Sequence, residues 1–61
     1  MNPEWIAQIQ WDSWASVYYI SVFDKETKMV RHPKFPFPAE SRDRKKAVKK
    51  AEAMLARAKN G

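Results

Sequence analysis

Residues 5–23 read WIAQIQWDSWASVYYISVF, and this stretch decides the fold. Trp5, Ala7, Ile9 and Trp11 fall at every second position, with Gln8 and Gln10 between them. Side chains on an extended backbone alternate between two faces, so this spacing predicts a half-buried strand over 5–11. Ile6 is the one apolar residue on its polar side. Asp12-Ser13 reads as a turn, although a tight two-residue hairpin prefers glycine. Trp14 to Phe23, rich in aromatic and β-branched side chains, reads as a second and longer strand. If Asp12-Ser13 closes the hairpin, Trp11 stands opposite Trp14, and directly opposed residues share a face. The tryptophans then join Ile9, Tyr18, Ile20 and Val22 on one face. The other face receives Ile6, Gln8, Gln10, Val17, Tyr19, Ser21 and Phe23, with Val30. A patch of that kind is expected to be covered by the Phe35–Phe37 segment, a second copy or a partner protein.

Further along, Asp24-Lys25-Glu26-Thr27-Lys28 is a polar hairpin loop, and Lys28 to about His32 reads as a short third strand. Residues 32–38, HPKFPFP, carry three prolines, each lacking a donor and holding its predecessor extended. This predicts an irregular connector whose two phenylalanines cap the core. A polyproline ligand is the functional alternative for such a segment. A helix is predicted from Ser41 as N-cap to Lys59, with Asp43 in the first turn and Asn60-Gly61 as the stop. Ala47, Val48, Ala51, Met54, Leu55 and Ala58 share the face that packs on the sheet. The fold class is therefore α+β: a three-stranded antiparallel β-sheet packed by one C-terminal α-helix (β-β-β-α), a single domain over residues 1–61.

So short a chain buries a modest fraction of its surface and needs large side chains in its core. Trp5, Trp11, Trp14, Tyr18, Tyr19, Phe23, Phe35 and Phe37 are available, with Ile6, Ile9, Ile20, Val22 and Leu55. There is no cysteine, so no disulfide or thiolate metal site staples the fold. The longest apolar stretch, Ala15 to Phe23, is broken by Ser16 and Ser21 and is too short to span a bilayer. The first residues show no basic region followed by an apolar run. The expectation is a soluble cytoplasmic protein with no membrane partner.

Catalysis is not expected. His32 is the only histidine, and its place at a strand end before Pro33 reads as a solvated or edge side chain rather than a general base. Ser13, Ser16, Ser21 and Ser41 have no neighbouring base, and the carboxylates are scattered singly. No metal-ligand spacing and no glycine-rich phosphate loop is present, so no cofactor is expected.

The net charge of +5 is unevenly spread. Residues 1–30 hold two cations (Lys25, Lys28) against four anions (Glu4, Asp12, Asp24, Glu26), a balance of −2. Residues 31–61 hold ten cations against Glu40, Asp43 and Glu52, a balance of +7. That asymmetry points to an anionic partner for the C-terminal half. Helical spacing sets Lys46, Lys50 and Arg57 in one stripe and Lys45 and Lys49 in a neighbouring one, with Arg42 and Arg44 leading in. Such a row can neutralise successive phosphates, or it can be a solvated face. Gln8, Gln10 and Tyr19 are the candidates for base contacts on the sheet.

The order of three strands and one helix resembles the N-terminal arm-binding domain of lambda-type tyrosine integrases. The matching stretches are Tyr18-Tyr19 followed by Asp24-Lys25-Glu26-Thr27-Lys28, and Arg42-Asp43-Arg44-Lys45 leading into Ala47 and Ala51. The likeness covers most of residues 14–58. It implies a DNA-binding domain of phage or mobile-element type, whose sheet enters the major groove while the helix packs behind. It does not extend to the core-binding or catalytic domains, so recombinase activity is not carried over. Here the strands lean acidic, whereas a groove-reading sheet carries cations. Lys45-Lys46-Ala47-Val48-Lys49 is also similar to the basic helix of double-stranded-RNA-binding domains, without their N-terminal helix. The expected partner is thus nucleic acid, DNA rather than RNA. The alternative is a small protein-interaction module, an inhibitor or adaptor, as a single chain or a homodimer, docking an acidic protein surface.

Overall fold

The computed structural model describes residues 4–60, so Gly61 of the expected helix stop lies outside the described residues. The elements are β1 (Trp5–Asp12), β2 (Val17–Asp24), β3 (Ala39–Ser41) and α1 (Arg44–Lys59). The strands form one antiparallel sheet in the order β1-β2-β3, and the β-β-β-α order expected from the periodicities is the one found.

The first hairpin is wider than expected. Asp12 pairs with Val17 and Trp11 with Tyr18, so Ser13 to Ser16 form a four-residue loop and Trp14 is not in a strand. The expected pairing of Trp11 with Trp14 is off by four positions. Four is an even number, so the residues that remain in β1 and β2 keep their expected faces, while Trp14 leaves the helix face for the loop. Trp5, Ala7, Ile9, Trp11, Tyr18, Ile20 and Val22 share the helix side, while Gln8, Gln10, Tyr19, Ser21 and Phe23 face away. Trp14 itself is 98% exposed at the loop tip.

Both hairpin loops use the same device in place of glycine. Asp12 Oδ1 accepts from the N–H groups of Trp14 at 2.9 Å and Ala15 at 3.2 Å, and Asp24 Oδ1 accepts from Glu26 N–H at 3.0 Å. The fourth residue after each aspartate then turns the chain with a left-handed backbone: Ser16 at φ 54° and Lys28 at φ 56°. A side chain with Cβ is disfavoured there, so Ser16→Gly and Lys28→Gly should each stabilise the fold by on the order of 0.5–1 kcal/mol. Thermal melts check this, and a lowered midpoint in both variants would count against it.

The third strand is not where the sequence placed it. Residues 30–32 do run along β2, with Asp24 N–H donating to the Val30 carbonyl and His32 N–H to the Val22 carbonyl, both at 2.9 Å. They form only an isolated bridge, Phe23 with Arg31. The prolines then carry the chain off the edge, and it returns as β3, pairing Ala39 with Ile20 and Ser41 with Tyr18. Proline cannot donate to a ladder, which is why the edge is split in two. His32, expected as a solvated or edge side chain, lies along the edge of β2 but is buried rather than solvated. Its Nδ1 accepts from Lys34 N–H at 3.0 Å, and its ring lies 4.4 Å from Trp5 and 5.9 Å from Phe35.

The N-cap of α1 is Asp43 rather than Ser41. Ser41 is still paired in β3, and the Asp43 carboxylate takes the N–H groups of Lys45 at 2.8 Å and Lys46 at 3.4 Å. Caps of this kind stabilise a helix by about 1 kcal/mol. Ala47, Ala51, Met54 and Ala58 are buried against Ile20 and Val22. The alanines let the helix come close to the sheet, and only Ile20 and Val22 among the large side chains are fully enclosed. Leu55 is half-buried, and Val48, expected in the core, is exposed. One short helix covers only part of one sheet face, which leaves Trp11 and Phe37 outside the core as well as Trp14.

Candidate nucleic-acid interface

The register of α1 sorts its cations by the position of the buried alanines. Lys45 and Lys49 point away from the sheet, and Lys46, Lys50 and Arg57 lie along one flank. Contacts show which flank that is. Lys50 Nζ donates to the Glu40 carbonyl of β3 at 3.0 Å, and the Arg57 guanidinium sits 5.7 Å from the centre of the Phe35 ring. The stripe therefore runs along the β3 edge. The other flank turns toward β1, where Lys59 helps hold the Glu4 carboxyl below its usual range. The main cause of that shift is the hydrogen bond from Lys25, 3.0 Å away. Both partners are largely exposed, so the pair contributes little to stability.

Arg42, Arg44, Lys45, Lys46, Lys49, Lys50 and Arg57 are all exposed. Glu4–Lys25 is the single ion pair among the described residues, so none of these seven is neutralised by a carboxylate there. A cation not among the expected contact residues joins them: Lys34 Nζ donates to the Arg57 carbonyl at 3.3 Å. Lys34 lies between two prolines, with no periodicity to reveal which element it approaches. The basic ridge thus gathers helix residues and a connector residue on one edge. From Lys46 to Arg57 it spans about 16 Å at the helical rise of 1.5 Å per residue.

The structure does not bring the whole candidate set together. Gln8, Gln10 and Tyr19 lie on the sheet face opposite the helix, where they line a shallow concavity of about 160 Å³ with Ser21, Phe23, Arg31 and Pro38. That is smaller than the few hundred Å³ usual for a small-molecule pocket. Arg31 stacks 5.7 Å from the Phe23 ring centre and donates to the Pro36 carbonyl at 3.1 Å. This face was expected to be covered by the Phe35–Phe37 segment, a second copy or a partner protein, and the first of these does not cover it. Instead Phe35 packs on the helix side of the core and Phe37 is 79% exposed, leaving Pro38 and Arg31 as the connector side's contributions to the far face. Among the described residues no His, Cys, Asp and Glu cluster could hold a metal ion, and no helix is long and apolar enough to cross a membrane.

No protein-family model, curated protein or solved structure matches the chain.

Proposed function

We propose that the protein binds nucleic acid, DNA in preference to RNA, through phosphate contacts made by α1 and the β3 edge. The observation that carries this reading is the row of exposed helix cations with no carboxylate partner among the described residues. Lys50 and Arg57 are already oriented by a main-chain carbonyl and an aromatic ring, which lowers the ordering cost of meeting a phosphate. Lys46, Lys50 and Arg57 form the centre of the contact, with Arg42, Arg44, Lys45, Lys49 and Lys34 around it. The helix cations and the Gln8–Gln10–Tyr19 face lie on opposite sides of the sheet, so one straight duplex meets one side at a time. Base reading by the sheet is accordingly a separate event from phosphate binding by the helix. Titration with a short duplex at low and moderate salt tests the reading: resonances of α1 should shift, and binding should weaken steeply as salt rises. No binding to duplex or single strand at low salt would overturn it.

The second reading, a protein-interaction module, rests on the open far face. Tyr19 and Phe23 are half-buried beside Gln8 and Gln10, and Arg31 is the one cation lining that concavity. Polar and aromatic surface of this sort suits a protein partner better than a DNA groove. Tyr19→Ser should leave the fold intact and reduce partner binding if this reading holds. Unfolding of the variant would mark Tyr19 as a structural residue only.

A further inference from the structure

The two edges of the sheet are built differently. Lys25 N–H donates to the Glu4 carbonyl at 2.7 Å, and the β1–β2 register repeats this pairing at every even residue of β1. The main-chain groups of Trp5, Ala7, Ile9 and Trp11 therefore point away from β2. No turn, loop or cap hydrogen bond among the described residues reaches them. The β3 edge is protected by its three-residue length, by Pro36 and Pro38 before it, and by Lys50 on the Glu40 carbonyl. β1 has eight residues, no proline and no charge from Trp5 to Trp11. On its helix side Ile9 is 37% and Trp11 51% exposed, and Val48 on the adjoining helix flank is 39% exposed. Edges left in this state pair with another strand.

We infer that β1 is a self-association edge, on which β1 of a second copy adds antiparallel about a two-fold axis at Gln8. The strand itself selects that occupant, because Trp-Ile-Ala-Gln-Ile-Gln-Trp reads similarly in both directions. Centred on Gln8, the pairing sets Trp5 opposite Trp11 of the second copy, and Ala7 opposite its Ile9. Every outward main-chain group then finds a partner, and only apolar side chains meet on the helix side. Shifting the centre to Ala7 or Ile9 leaves some of these groups unpaired. The axis is perpendicular to the sheet, so the two helices share one face and the Lys46–Lys50–Arg57 flanks stay at the outer edges. That arrangement keeps the cations of the two copies apart. Glu4 comes to face Asp12 of the second copy, but Lys25 already engages the one and the N–H groups of Trp14 and Ala15 the other. This inference does not depend on nucleic-acid binding.

The chain has no cysteine, so Gln8→Cys is a clean probe. Directly opposed residues on the axis have Cα atoms about 4.5–5.5 Å apart, within disulfide reach. Oxidation should give a covalent dimer roughly tenfold faster than Glu40→Cys on the opposite edge, because only the first pair is held together. Sedimentation should show a concentration-dependent dimer for the parent chain. Gln8 is exposed in the single chain, so Gln8→Lys should leave the circular dichroism unchanged. By placing like charges face to face on the axis, it should weaken the dimer about tenfold or more. A parent chain that stays monomeric to millimolar concentration overturns the inference, whether or not another protein's strand binds this edge. Equal cross-linking of the two cysteine variants, or a dimer indifferent to Gln8→Lys, overturns it too.

Discussion

Replacing Ile20 with alanine should unfold a large share of the protein at ordinary temperature. Ile20 has no exposed surface, lies in the middle of β2, and packs in the cluster that joins the sheet to Ala47, Ala51 and Met54. Truncation removes its transfer free energy and leaves a cavity, together about 3–4 kcal/mol. A chain of this length has roughly 3–9 kcal/mol of total stability at the usual 0.05–0.15 kcal/mol per residue. The neighbouring strands cannot relax into the gap easily, since β2 is held by both β1 and β3. Leu55→Ala is the control. Helical periodicity makes Leu55 look central, but it is half-buried, so its loss should cost about half as much or less. Urea unfolding of the two variants decides the matter: equal midpoints would mean that the core is not centred on β2.

Changing Lys46, Lys50 and Arg57 together to Gln should lower nucleic-acid affinity by on the order of a hundredfold at low salt, with no preference among sequences. Each phosphate contact contributes about 0.9 to the slope of log affinity against log salt on B-DNA, so the slope should fall by nearly three units. The substitutions keep the first two methylenes of each side chain and touch no buried residue, so the fold should be unchanged. Losing the Arg57–Phe35 stacking and the Lys50–Glu40 hydrogen bond costs little, because the Arg57 and Lys50 side chains are exposed. A triple variant that binds as tightly as the parent, with the same salt slope, would reduce the ridge to a solvated helix face.

Trp14 shows where local pattern and structure part. Its residue type argues for burial, and alternation puts it in register with Tyr18 and Ile20. The width of a hairpin loop, however, is set by turn chemistry: the Asp12 carboxylate collecting two N–H groups and Ser16 accepting a left-handed backbone. A similar device after Asp24 ends at Lys28, which is why that residue turns the chain instead of opening a strand. Ser41 was a reasonable N-cap by residue type, but pairing with Tyr18 holds it in β3 and passes the role to Asp43. Lys34 was invisible as part of the basic ridge, because its position depends on how the proline segment folds back toward Arg57.

By itself the sequence determined the strand periodicity, the helix, the face taken by each residue that pairs in β1 and β2, and the concentration of positive charge on one helix. These follow from repeats of two and about 3.6 residues, which are local properties of the backbone and survive a register shift of four. Only the tertiary structure decided the register, the split third strand, which aromatic side chains are enclosed, and that the basic stripe borders β3 while β1 is left open. Those outcomes depend on distant segments competing for the same edges and the same small area of core, and no local repeat records the result of that competition.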